Sequence, residues 1–156
     1  MRPTRTPIGL HLAATARAVS RAFDAALAGA GGSLPVWLVL LNLKTRPVAN
    51  QRQLADAVGV REATLTHHLN AMEGDGLITR RRDPVNRRIH VVELTAAGEG
   101  AFVRLRGAAV AFDRRLRRGF SDDEMSHLEA LLGRLSANVG AGEPGAAPWA
   151  GKAPAP

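Results

Sequence analysis

The stretch from Gln51 to Arg88 constrains this chain most, because it reads as two short helices meeting at a glycine, followed by a hairpin with an arginine-rich tip. Asn50-Gln51-Arg52-Gln53 is a capping box, with Asn50 as N-cap and Gln53 reaching back from the third helical position. Leu54, Ala55 and Val58 make an apolar stripe that stops at Gly59. A second helix is predicted from Glu62 to Glu73, carrying Leu65, Leu69 and Met72 on one face and ending at Gly74-Asp75-Gly76. The small Ala55, the turn residue Gly59 and the apolar Leu65 stand where two crossing helices need close approach, a left-handed turn and a shared core. That layout is a helix-turn-helix, whose second helix fits the major groove of double-stranded DNA.

The following segment extends the pattern. Leu77–Arg82 and Ile89–Leu94 have strand composition, and Pro84 keeps the polar loop Asp83–Arg88 out of a ladder interior. The hairpin carries Arg80, Arg81, Arg82, Arg87 and Arg88. A basic hairpin in isolation is usually a solvated surface. Directly behind a helix-turn-helix it reads as a wing whose charge matches phosphates and whose tip suits a narrow A·T-rich minor groove.

Charge agrees with an anionic partner. The chain has 21 basic and 14 acidic residues, a formal net charge of +7. Nine of the basic residues fall between Lys44 and Arg88, so part of the excess gathers on the motif. Aromatic residues are 4% and tyrosine is absent, which leaves too few stacking platforms for a single-strand or RNA binder. With no cysteine, disulfides, thiolate metal sites and thiol redox sensing are excluded. Apolar runs such as Val36 to Leu43 are too short for a bilayer, and the N-terminus shows no signal peptide. The expectation is a soluble cytoplasmic protein without a membrane partner.

Helical periodicity dominates on both sides of the motif. Leu12, Ala16, Val19, Phe23 and Ala26 mark a helix from Pro7 to Ala28, broken at Gly29–Gly32. Ser33 caps the next, Leu34 to Lys44, with Pro35 in its first turn; it is apolar nearly all round and belongs at the centre. Thr95 caps a long helix bearing Phe102, Leu105, Ala109, Phe112 and Leu116. After Gly119-Phe120, the capping box Ser121–Glu124 opens a last helix bearing Met125, Leu128, Leu132, Leu135 and Val139. The fold class is therefore mainly α (α+β): a winged helix-turn-helix at 47–94, flanked by N-terminal helices at 1–46 and C-terminal helices at 95–139, with a disordered Gly/Ala/Pro-rich tail at 140–156 that includes Trp149. One winged domain cannot cover all these stripes. Leu12, Phe112, Leu116, Leu128, Leu132 and Leu135 are accordingly expected at a homodimer interface, the alternative being terminal helices that pack on each other in a monomer.

These residues resemble the MarR family of bacterial transcriptional regulators. The resemblance lies in Gln53-Leu54-Ala55 with Gly59-Val60, in Glu73-Gly74-Asp75-Gly76-Leu77-Ile78-Thr79-Arg80, and in Asp83-Pro84-Val85-Asn86-Arg87-Arg88 leading to Leu94-Thr95-Ala96-Ala97-Gly98. The family's wing usually reads Asp-Pro-x-Asp-Arg-Arg, so Asn86 departs from it. Arg61 departs too, standing where a serine commonly caps the recognition helix. The resemblance covers about Pro7 to Val139 and implies a homodimeric winged helix-turn-helix repressor that responds to a small, often aromatic and anionic, effector. It also implies a wing arginine in the minor groove, a role assigned to Arg87. Its effector pocket commonly lies between dimer helices and winged domain, where His11, Arg17 and Trp37 could offer a cation and an aromatic wall. The alternative keeps Trp37 in the core and Arg17 at the surface.

With Leu65, Leu69 and Met72 inward, Ala63, Thr66, His67 and Asn70 face outward, where polar groups can meet base edges and methyls can meet thymine. Arg61, Glu62 and Thr64 start the helix, where backbone N–H groups favour phosphate. His68 turns to the inner flank and reads as a packed, satisfied histidine. Arg82, Asn86, Arg87 and Arg88 complete the DNA set, and Asp83 is expected in a salt bridge with Arg87 or Arg88. No enzyme or cofactor site is legible. Adjacent His67 and His68 cannot face one metal, Glu124-Met125-Ser126-His127 lacks the second such motif a di-metal bundle needs, and there is no phosphate loop or nucleophile elbow. The expected function is a sequence-specific, ligand-responsive repressor on a pseudo-palindromic operator; the alternative is an effector-free nucleoid-type protein that coats DNA through charge.

Overall fold

The computed structural model describes residues 6–46 and 49–140; most of the 140–156 tail and the start of the chain lie outside the described residues. In chain order the elements are α1 (Ile8–Gly29), α2 (Leu34–Thr45), β1 (Ala49–Asn50), α3 (Gln51–Val58), α4 (Glu62–Gly74), β2 (Ile78–Arg82), β3 (His90–Leu94), α5 (Ala96–Leu116) and α6 (Asp122–Asn138). No single helix among the described residues is long and apolar enough to cross a membrane.

The centre is α2. Its composition gives no polar face, and Trp37, Leu38, Val39, Leu40 and Leu43 are all buried. Around it the core gathers Leu27 of α1, Leu54 and Ala55 of α3, Leu65, Leu69 and Met72 of α4, Ile78 and Val92 of the sheet, and Leu105 of α5. Each fully buried leucine contributes roughly 1.5–3 kcal/mol of transfer free energy, so the winged motif is held chiefly through α2. Ser33 caps α2 as expected, accepting from the Val36 N–H.

The turn between α3 and α4 follows its sequence signals. Asn50 and Gln53 complete the capping box, and Gly59 adopts φ 76°, where a side chain would be strained. The sheet has the order β1-β3-β2, all antiparallel, with Arg80 opposite Val92 and Arg82 opposite His90. β2 and β3 each begin one residue later than composition suggests. Leu77 instead closes α4 through its N–H to Met72 O and accepts the Thr95 N–H. The third strand was not anticipated: Ala49 and Asn50 pair with Val92 and Val91, and two residues show no periodicity.

The start of α5 is locked against the hairpin. Thr95 donates its hydroxyl to Gly76 O at 2.6 Å and accepts the Gly98 N–H at 3.0 Å. A Cβ built on Gly98 would lie 2.0 Å from Leu77 O, so only glycine fits.

Phe112 corrects an expectation. It is only 9% exposed, with its ring 5.0 Å from Phe23 of α1, because α1 folds back along α5 and covers it. Phe112 is core within the subunit rather than a free interface residue. Leu12, Leu116, Leu128 and Leu132 remain 38–43% exposed, Leu135 is half-buried, and α6 has no buried residue at all.

Replacing Gly98 by Ala should force α5 off the hairpin and cost about 1–3 kcal/mol, as overpacking does. Chemical denaturation checks this; an unchanged midpoint would show that the junction gives way freely.

Candidate nucleic-acid interface

The recognition helix α4 presents an open N-terminus. Arg61 is its N-cap with extended backbone and makes no side-chain capping bond, so the first-turn N–H groups are left without a side-chain partner there. Glu62, Ala63, Thr64, His67 and Asn70 are exposed along the outer side, while Leu65, Leu69 and Met72 are buried behind them. That division is the one the spacing predicts.

Three side chains of the expected set are already engaged within the protein. The Thr66 hydroxyl donates to Glu62 O at 2.9 Å and accepts from Gln51 Nε2, locking α4 to α3; its donor is used, and its methyl and one lone pair are left for a base. Asn70 Oδ1 accepts from Arg80 Nη2 at 2.7 Å. Asp83 accepts the N–H groups of Val85 at 2.7 Å and Asn86 at 2.8 Å. The expected Asp83 salt bridge to Arg87 or Arg88 is therefore not formed. Backbone donors at the tip reach the carboxylate first, because the turn brings them two and three residues along the chain. His68 is half-buried, edge-on to His67 at 5.9 Å, and accepts or donates no hydrogen bond among the described residues. It is partly packed, and neither ring nitrogen is buried without a partner.

The five wing arginines divide into two groups. Arg80 donates Nε and its backbone N–H to Glu73 and forms an ion pair with it, joining β2 to the end of α4. Arg81 donates to both oxygens of Glu93 across the hairpin, at 3.2 and 2.8 Å. Arg82, Arg87 and Arg88 are exposed and have no ion-pair partner among the described residues. Asn86 shapes the tip by accepting the Arg88 N–H at 3.2 Å, and Val85 stands 95% exposed at the apex. Glu73 and Gln51 were missed by sequence reasoning. Glu73 lies seven residues before Arg80, across a helix end and a turn, a separation that no helical or strand period marks.

The pocket residues are not brought together. Trp37 is 6% exposed and stacked on Phe102 with centroids 5.7 Å apart, because α2 turns that face into α5. Arg17 is exposed on α1, and His11 lines a shallow cleft with Thr6, Pro7 and Ile8. Among the described residues, no group of three His, Asp or Glu could hold a metal ion.

Hydrogen bonding holds three carboxyls below their ordinary range: Glu73 first through the Arg80 side chain, Glu93 first through Arg81, and Asp83 first through the Asn86 N–H. A group whose pKa is lower when folded stabilises the fold above its unfolded value and loses that contribution as pH falls through the folded one. A carbon-13 titration should place Glu73 and Glu93 below 4.5 and Asp83 below 3.8, with the wing loosening only in acid below those ordinary values. An ordinary midpoint at Glu73 would show that the Arg80 contact is not kept in solution.

Comparison with known proteins agrees with this geometry. Residues 33–90, from the start of α2 to the wing, match the model of the MarR family. Among solved structures, the transcriptional repressor CouR bound to a 23-mer DNA duplex is 27% identical, with a TM-score of 0.74 over 83% of this chain and 92% of that one. A cysteine-to-serine mutant of MarR from E. coli, complexed with operator DNA, shares the fold at 20% identity and a TM-score of 0.73, over 83% and 93% of the two chains. So does PcaV from Streptomyces coelicolor in complex with its natural ligand, at 21% identity and a TM-score of 0.73, over 87% and 99%. With its winged helix-turn-helix, its outward-facing recognition helix and its matching segment 33–90, the chain is similar in sequence and fold to DNA-binding transcriptional regulators of the MarR family.

Proposed function

We propose that the protein is a homodimeric repressor that binds a pseudo-palindromic operator and releases it when a small effector binds. One observation carries the DNA reading: an exposed recognition-helix face beside a wing whose Arg82, Arg87 and Arg88 are left unpaired while its other arginines are used internally. Arg61, Glu62 and Thr64 lie beside phosphates at the open N-terminus of α4. Ala63, the Thr66 methyl, His67 and Asn70 meet base edges, and Arg87 enters the adjacent minor groove, where arginine is drawn to narrow A·T-rich shape. Asn86 shapes the tip by accepting the Arg88 N–H, and the side chains of Arg82 and Arg88 meet phosphates beside it. The repressor CouR, solved on a DNA duplex, supports this docking.

The exposed leucines support a homodimer. Leu12 of α1, Leu116 of α5 and Leu128 and Leu132 of α6 find no cover within one subunit, and a second copy would bury them. The terminal helices, 1–46 and 95–139, then form the dimerisation region around the DNA-binding segment 47–94. Two wings would meet half-sites roughly 10 bp apart. PcaV, solved with its natural ligand, supports an effector, and a small aromatic or anionic molecule between the dimer helices and the winged region would alter the spacing of the two recognition helices. The place of work is the cytoplasm.

Competition binding tests the function. A specific regulator should prefer DNA from its own gene's upstream region over random duplex by about 10³ or more. Equal affinity for both would instead favour a charge-driven coating protein. Leu132→Glu should place an unpaired charge at the dimer seam, an arrangement that costs several kcal/mol. Sedimentation should then show a folded monomer with weakened operator binding; a variant that stays dimeric and binds tightly would put the interface elsewhere.

A further inference from the structure

Asn70 sits on the exposed face of α4, yet its amide is not free to turn. Arg80 Nη2 donates to its Oδ1 at 2.7 Å. Arg80 is itself held by Glu73, which accepts Nε at 3.0 Å and the backbone N–H at 3.2 Å and pairs with Nη2. A guanidinium has donors and no acceptor, so the amide oxygen must face it. The Nδ2 group has no hydrogen-bond partner among the described residues and lies on the side away from the arginine, with both donors open.

We propose that Arg80, held by Glu73, makes Asn70 a donor-only reader that selects guanine in the major groove. The inference rests on α4 being the recognition helix. An unconstrained asparagine pairs with adenine through both amide atoms, accepting from the N6 amino group and donating to N7. Here the carbonyl is occupied by a cation. An adenine amino group brought to its second lone pair would meet the guanidinium N–H groups beside it, donor against donor. Guanine offers N7 and O6, two adjacent acceptors, and these suit the open Nδ2 donors. Arg80 is a positioning residue in this account: it touches no base and acts through the amide it orients.

Selection of bound sequences from a randomised duplex library, using the full chain, tests this. The native protein should enrich guanine at one position, and Asn70→Ala should erase that preference, a loss of between about fivefold and about 150-fold in relative affinity. Asn70→Asp keeps an acceptor for Arg80 and presents an acceptor outward, so the same position should change to cytosine, whose N4 amino group donates. Arg80→Met frees the carbonyl and should move it toward adenine with other positions unchanged. The native and Asn70→Ala profiles together decide the matter even if Arg80→Met does not fold. Adenine at the Asn70-dependent position in the native protein would overturn the proposal. So would an unaltered profile for Asn70→Ala, or an Arg80→Met variant that weakens all sequences alike. If the native chain enriches no sequence, the regulator reading itself fails and this one with it.

Discussion

Everything in this molecule is arranged around the burial of α2. An apolar helix with no polar face is stable only if it is enclosed, and the enclosure is supplied by α1, α3, α4, the sheet and α5 together. A winged helix-turn-helix is too small to build a deep core from its own residues. By filling the space behind α3 and α4, α2 gives the recognition helix a rigid backing and so a defined face toward solvent. The Thr95–Gly98 junction serves the other end, setting the hairpin at a fixed angle to α5 through hydrogen bonds and a contact that admits no Cβ.

The charge of the wing is divided rather than uniform. Arg80 and Arg81 neutralise Glu73 and Glu93 and so act as structural ties, whereas Arg82, Arg87 and Arg88 extend without partners. At the tip, Asp83 turns inward to backbone N–H groups, which keeps its negative charge from pairing with the tip arginines. The substitution of Asn86 for the acidic residue usual in the family removes a second negative charge from the same place. Exposed ion pairs of this kind contribute little to stability. Their value is geometric, since they decide which cations are left to meet an anion.

The exposed leucines and the divided wing belong to one physical scheme in the proposed dimer. The exposed leucines lie on α1, α5 and α6 and the unpaired basic groups on the wing, so association through the helices would leave the DNA-facing groups open. A helix such as α6, with no buried residue of its own, is expected to be ordered by that association, because amphipathic helices gain most of their stability from packing.

Local chemistry determined much of this protein from the sequence by itself. The Asn50 and Ser121 capping boxes, the turn at Gly59, the Leu65–Leu69–Met72 face and the all-apolar α2 depend on neighbours within a few residues, and each was legible there. Tertiary structure alone decided the rest. The two-residue β1 exists only through pairing with β3, and Phe112 became core because α1 lies across it. Trp37 left the expected pocket because Phe102 of a distant helix stacks on its ring. Asp83 chose backbone donors over arginines, and Asn70 received a fixed orientation from Arg80 and Glu73. A sequence names which groups can bond; which partner wins depends on distances that exist only once separate elements have packed.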